Sequence, residues 1–291
     1  MKLVTFIRNG SEKEELGLLR GERVLPLAEL GFSYTDMNEL ILRSTPEERA
    51  AMAAAGGEGL PLSEVRLLSP IPRPLQDVVC LGLNYRDHAA EAKGFSQDAF
   101  GLELAAPIFF SKRVSYSQGT LAPIPAHRDL TRQLDFENEL AVILGRDAVN
   151  DSQEEAPAYI FGYTILNDVS AREVQTKHKQ WYFGKSLDGS CPMGPCIVTA
   201  AEFGDPAGHA ICSIINGELR QNSNTELMMQ DVPGLIAELS SGVTLKAGTV
   251  IATGTPAGVA MGMNPPKWLQ PGDTIECKIE GIGSLINTVG E

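Results

Sequence analysis

The run Leu134-Asp135-Phe136-Glu137-Asn138-Glu139 places three acids at the mouth of an apolar stretch that continues to Leu144. In an extended chain alternate side chains share a face, so Glu137 and Glu139 point the same way, with Asp135 behind them and Phe136 opposite. Carboxylates this close, and partly desolvated, raise one another's pKa unless a cation lies between them. An all-oxygen acidic set suits a hard divalent ion: Mg²⁺, with Mn²⁺ or Ca²⁺ as alternatives. The same spacing also fits an amphipathic edge strand with a solvated acidic face.

Four further stretches carry groups of matching chemistry. In Gly82-Leu83-Asn84-Tyr85-Arg86-Asp87-His88-Ala89-Ala90-Glu91, a helix would put His88 and Glu91 on one face. A carboxylate beside an imidazole orients it and raises its basicity, as a general base near neutral pH requires; an exposed His–Glu surface pair has the same spacing. Asp168 closes an apolar strand and opens a helix, where it offers either a third metal carboxylate or an N-cap, a role open to Ser170 as well. One turn apart, Arg172 and Gln175 could present donors to a bound acid. Lys185, in Gly184-Lys185-Ser186, is either a surface charge or a donor to a developing enolate oxygen. Finally, Thr253-Gly254-Thr255-Pro256-Ala257-Gly258-Val259 offers backbone N–H groups and hydroxyls to a carboxylate, without the lysine and spacing of a phosphate-binding P-loop.

Positioning these groups falls to a strand-rich chain. Short strands are expected at 2–8 and 16–28, around a Gly21-Glu22 turn. Thr45-Pro46-Glu47-Glu48 reads as a helix start with a capping box, and Gly56-Gly57 stops that helix. A segment carrying Pro61, Pro70, Pro72 and Pro74 then reads as a linker, dividing a small α+β N-terminal domain (1–73) from a larger β-rich domain (74–291). Strands are expected at 77–83, 107–110, 134–144, 160–166, 196–199, 209–215, 249–253 and 274–279, with a hairpin turn at Asn216-Gly217. Helices are expected at 84–93, 152–158, 170–177 and 231–240. Between Gly94 and Gly101 a polar, irregular segment could move as a lid. The pattern predicts an α+β, β-rich fold built as a mixed β-sandwich or roll rather than alternating βαβ units.

Composition narrows the partners. In 291 residues the apolar fraction is 43% and the formal charge −13, which argues against a nucleic-acid or anionic-membrane partner and requires local cations to capture an anionic substrate. Five scattered cysteines fit buried, reduced thiols better than a disulfide framework. The first residues turn polar too soon for a signal peptide, and no apolar run reaches spanning length, so a cytoplasmic location is expected.

Taken in order, HxxE, ExE, NDxSARxxQ, GKS and TGTPxGV resemble the fumarylacetoacetate hydrolase family over residues 77 to 290. The resemblance implies Mg²⁺ or a similar ion on Glu137, Glu139 and Asp168, and a catalytic dyad of His88 and Glu91 on a segment that orders over the substrate. It implies substrate contacts from Arg172, Gln175, Lys185 and Thr255, and a homodimer. Leu83 stands where some relatives near the acylpyruvases carry arginine, and the segment between Lys93 and Pro107 is longer than in many members. The implied reaction is Mg²⁺-dependent hydrolysis of a C–C bond in a small anionic 2,4-dioxo acid (acylpyruvate or fumarylacetoacetate type) through a metal-bound enolate, Lys185 sharing the enolate charge. Alternatives on the same site are an oxaloacetate-type decarboxylase and a 5-carboxymethyl-2-hydroxymuconate-type isomerase. A binding protein that has lost catalysis would lack part of the set, and no part is missing here.

Overall fold

The Asn138–Leu144 strand is buried along its whole length, and its two faces meet different cores. Leu140, Val142 and Leu144 share one apolar cluster with Ile211, Ile275, Ile279 and Leu285. Ala141 and Ile143 share another with Leu3, Leu18, Met37 and Leu40. A one-residue slip would swap every side chain between two differently packed cores, so the register is fixed and the acids at its start are held by the best-buried part of the molecule.

The computed structural model describes residues 1–92 and 106–291. Among them an eleven-stranded sheet carries its hydrogen bonding from the N-terminal hairpin strands through Lys2–Arg8 to Met193–Thr199, Ile160–Asn167 and Asn138–Leu144. It continues through Val250–Ala252 and Val78–Gly82 to an edge at Ile108–Lys112. A five-stranded sheet, Glu218–Asn224, Ala210–Ile215, Thr274–Ile279, Gly283–Val289 and Pro123–Ile124, shares the first core with it. Most pairs are antiparallel, but Val250–Ala252 runs parallel to Val78–Gly82, and Gly283–Val289 parallel to Pro123–Ile124. With seven α-helices among the described residues, the expected β-rich α+β fold with mixed sheets is the observed one. No helix of the described residues is long and apolar enough to cross a membrane.

Lys2–Arg8 pairs with Met193–Thr199, so hydrogen bonding crosses the boundary proposed near residue 73. Thr45 forms the expected capping box, its hydroxyl accepting from the Glu48 N–H while the Glu48 carboxylate accepts from the Thr45 N–H. Asn216 and Gly217 both take positive φ, 50° and 82°, as a two-residue hairpin turn requires. The five cysteines are free, and all but the half-buried Cys212 are buried.

Three expected elements differ. The strand expected over 134–144 is interrupted: Leu134–Asp135 pairs instead with Ser170–Ala171, and Asn138–Leu144 starts afresh. The cause is local, because the Asp135 carboxylate accepts the next N–H, from Phe136, and the Glu137 N–H goes to the Asn167 side chain. The helix expected over 152–158 is a single 3₁₀ turn, Ala156–Tyr159, since Ser152 and Glu155 close their own turn ahead of Pro157. The helix expected from Ser170 begins at Arg172 with no side-chain cap, so neither Asp168 nor Ser170 is an N-cap. Two strands, Glu218–Asn224 and Gly283–Val289, carry too little apolar alternation to be read from sequence. The lid expected from the 94–101 segment lies outside the described residues.

Candidate active site

Val78–Gly82 delivers the chain to the site edge-on, against Trp181: a Cβ on Gly82 would lie 2.4 Å from that ring. Leu83 follows in the left-handed region (φ 57°), an uncommon conformation for a branched side chain. Asn84 fixes this turn from both ends. Its amide donates to the Thr253 and Gln230 carbonyls at 2.8 and 3.0 Å, and its Oδ1 accepts the Gln230 N–H at 2.8 Å. The Arg86–Ala92 helix then sets His88 and Glu91 one turn apart, with His88 Nδ1 2.8 Å from Glu91 Oε2. An ionised carboxylate only accepts, so Nδ1 carries the proton and Nε2 is the basic atom of the ring.

Across the cavity, one oxygen each from Glu137, Glu139 and Asp168 come together within 4.8 Å, all three residues buried. Their counter-charges are equally buried. Lys185 Nζ bridges Glu137 Oε2 (2.5 Å) and Asp168 Oδ2 (2.7 Å), lying over the Phe110 ring. Lys112 Nζ takes the other Asp168 oxygen at 2.7 Å and the Val169 carbonyl at 3.0 Å. Arg172 donates Nε to Asp135, Nη1 to Gln175 and Nη2 to Glu137.

The two neighbouring glutamates respond in opposite directions. Burial raises Glu137, but Lys185 and Arg172, helped by His88, outweigh it and hold the carboxyl at about 2. Burial also raises Glu139, the charges of Asp168 and Glu137 raise it further, and Lys185 and the Gly254 N–H offset only part, leaving it well above the usual carboxylate range. Three buried cations match Asp135, Glu137 and Asp168, so ionising Glu139, the fourth buried carboxylate, adds one negative charge that no cation of the cluster offsets. A hard divalent cation fits this all-carboxylate set and its surplus charge.

The Gly- and Thr-rich loop after Val250–Ala252 turns its N–H groups mostly inward. Gly254 N–H donates to Glu139 at 2.7 Å, Gly258 N–H to Glu91 at 3.1 Å, and the Ala260 and Met261 N–H groups to Asp135 at 2.7 and 3.1 Å. These amides, expected to greet a substrate carboxylate, hold the protein's own acids. The Thr255 hydroxyl likewise donates to the Asn138 carbonyl (3.0 Å) and accepts from Gln221 (2.7 Å), which keeps only acceptor capacity for a ligand.

His88, Glu137, Glu139, Arg172, Gln175, Lys185 and Thr255 all line one cavity, walled on another side by Leu81, Leu83, Phe110 and Trp181. Glu91 backs His88 there, and Asp168 lies behind Lys185. Sequence reasoning missed Lys112, which closes the apolar Ile108–Lys112 strand; a lysine ending such a run was the available signal. Gln221 gave none, being a polar residue on an unremarkable segment, while Asn138 and Asn167 lie within the acidic run and the NDxSARxxQ motif but carry no role that spacing could assign.

Residues 77–290 match the fumarylacetoacetate (FAA) hydrolase C-terminal family. The chain belongs to the fumarylacetoacetate hydrolase family. Among its relatives, the oxaloacetate tautomerase YisK of Bacillus subtilis is 44% identical over 229 residues, 79% of this chain and 74% of that protein. A fumarylacetoacetate hydrolase from psychrophilic Exiguobacterium antarcticum superposes with a TM-score of 0.85 at 40% identity, covering 100% of this chain and 99% of that one. A maleylpyruvate hydrolase from Sphingobium sp. SYK-6, solved with manganese(II) and pyruvate, gives 0.78 at 30% identity, with coverage of 100% and 99%.

Proposed function

We propose that this family member interconverts the keto and enol forms of a small 2-oxo diacid of the oxaloacetate kind. The observation that carries the reading is a paired imidazole and carboxylate in the same cavity as three converging carboxylates and a buried lysine. Glu137, Glu139 and Asp168 would hold Mg²⁺ or Mn²⁺, whose charge would polarise the 2-oxo group and acidify the adjacent C3–H. His88 Nε2, oriented by Glu91, takes the C3 proton. The C3–H electrons form the C2=C3 double bond and the carbonyl π electrons move to oxygen. Lys185 stands beside that oxygen as a cationic donor while the oxygen takes a proton from solvent to complete the enol; in the reverse direction the O–H proton leaves to solvent as His88 returns its proton to C3. Arg172 and Gln175 are the proposed contacts of the substrate carboxylate, with Thr255 accepting from a hydroxyl. The similarity to an oxaloacetate tautomerase favours this chemistry over bond cleavage.

Hydrolysis of a 2,4-dioxo acid is the second reading. The same dyad can take a proton from water, and the Mn-containing maleylpyruvate hydrolase has a similar structure. A cytoplasmic homodimer belongs to the proposal as well. The test is a panel of enol oxaloacetate, an acylpyruvate, fumarylacetoacetate and a 2-hydroxymuconate-type diacid, each with Mg²⁺ or Mn²⁺. Accelerated loss of the enol absorbance, with no CO₂ and no cleavage product, is the expected result. Pyruvate plus a released acid from the acylpyruvate would move the function to the hydrolase, and CO₂ release would move it to a decarboxylase.

A further inference from the structure

We infer that Gly262 is a positioning residue for the His88–Glu91 pair, a role that would make the loop after Val250–Ala252 part of the proton-transfer apparatus. Gly262 ends a 3₁₀ turn, Ala260–Gly262, and lies against the Glu91 side chain. A Cβ built there would fall 1.8 Å from Glu91 Oε1, 2.1 Å from Cδ and 2.5 Å from Cγ. No other atoms are as close, so the space a side chain would fill at 262 is the space the Glu91 carboxylate occupies. The same oxygen, Oε1, accepts the Gly258 N–H at 3.1 Å, while Oε2 faces His88 Nδ1 at 2.8 Å. Glu91 is therefore seated by one loop: an amide holds one oxygen in place and a missing methyl leaves room for it. The other N–H groups of that loop hold Glu139 and Asp135, so dyad and acid cluster share a single backbone template.

The steric conflict is with the tip of a flexible side chain rather than with backbone, so Gly262→Ala is resolved by expelling the Glu91 carboxylate while the fold stands. Expulsion loses both Glu91 contacts together. His88 keeps its place on the helix but loses the acceptor that sets its tautomer and orientation.

The activity arm of the test rests on the enolisation reading; the exchange arm does not. By NMR, the Gly258 amide of wild type should be protected from hydrogen exchange through Glu91. Gly262→Ala and Glu91→Ala should both speed its exchange, with the Gly254 amide, bonded to Glu139, unchanged in each. In turnover, Gly262→Ala should lower kcat by about 10²-fold, the lower end of what a positioned base contributes, with little change in metal affinity by calorimetry. Added to Glu91→Gln it should cause no further loss, because both act through one carboxylate. Unchanged Gly258 protection in Gly262→Ala, or losses that multiply in the double variant, would overturn the inference. If no substrate of the panel turns over, the functional reading fails and the amide exchange still decides the positioning role. If Gly262→Ala alone does not fold, Gly262→Ala in the Glu91→Ala background should fold as stably as Glu91→Ala, and its failure to do so would overturn the steric assignment.

Discussion

Glu139 lies in a strand of the eleven-stranded sheet and Glu137 and Asp168 flank its strands, whereas His88 and Glu91 sit on a two-turn helix that follows a left-handed leucine. Glu137 and Asp168 are fixed by buried cations that have nowhere else to go, and Glu139 by the Gly254 N–H. Glu91 is fixed by one backbone amide and by the absence of a side chain at Gly262. Both arrangements are exact in geometry, but they depend on different free energies. In the cluster, charge compensation is part of the stability of the core. In the dyad, placement contributes little to stability, and its loss should show in rate.

The largest effect that separates the two regions is removal of a buried cation. Lys112→Met or Lys185→Met leaves Asp168 with one counter-charge, and breaking a buried pair this way costs about 3–5 kcal/mol. Denaturant unfolding should show that loss, while Glu91→Gln, which keeps the side chain's shape and an acceptor for the Gly258 N–H, should cost only about 0.5–1.5 kcal/mol. Equal losses in Lys112→Met and Glu91→Gln would erase the contrast. Of the two lysine variants, Lys185→Met should be the more damaging to rate, since only Lys185 lines the cavity.

The pH dependence sharpens the contrast inside the cluster. Glu137 is depressed to about 2, so its contribution to stability is present above the ordinary carboxylate value near 4.5 and is lost as pH falls from there toward 2. Glu139 is raised, so the opposite holds: its protonated form favours the fold at low pH, and that contribution is lost as pH rises from about 4.5 through its folded value. A divalent cation requires Glu139 ionised, so binding releases a proton and strengthens as pH rises. The melting temperature gained on adding Mn²⁺ to chelator-treated protein should therefore be larger at pH 8 than at pH 5.5. A gain independent of pH would mean that Glu139 is not a ligand.

The smallest effect is a control remote from both regions. Thr45→Ala removes the capping box of the Pro46–Ala54 helix and should lower stability by about 1 kcal/mol, with no change in rate. A rate change there would show that the N-terminal unit communicates with the cavity.

Much of this site was legible because its residues lie on strongly patterned segments. Glu137 and Glu139 precede an unbroken apolar run, and His88 and Glu91 have helical spacing. What spacing could not convey is which donors satisfy which acids. Asp135 reads as a third acid in line, yet the chain bends after it and the carboxylate becomes the anchor of Arg172. Lys112 is isolated in sequence and meets Asp168, 56 residues on, only through the tertiary fold, at the ends of strands that do not pair with each other. The loop from Thr253 was legible as a source of N–H groups, but the identity of the acids they serve depends on three separate elements converging there. Long-range pairing of this kind leaves no periodicity along the chain.

The central claim is that His88, held by Glu91, moves the proton at C3 of a 2-oxo acid bound beside the carboxylate cluster. Its most direct test is the decay of enol oxaloacetate absorbance with wild type and His88→Ala, both loaded with Mn²⁺ to the same measured occupancy. The account predicts a loss of about 10²-fold or more in His88→Ala with metal affinity unchanged. A His88→Ala enzyme that ketonises the enol at the wild-type rate would contradict it.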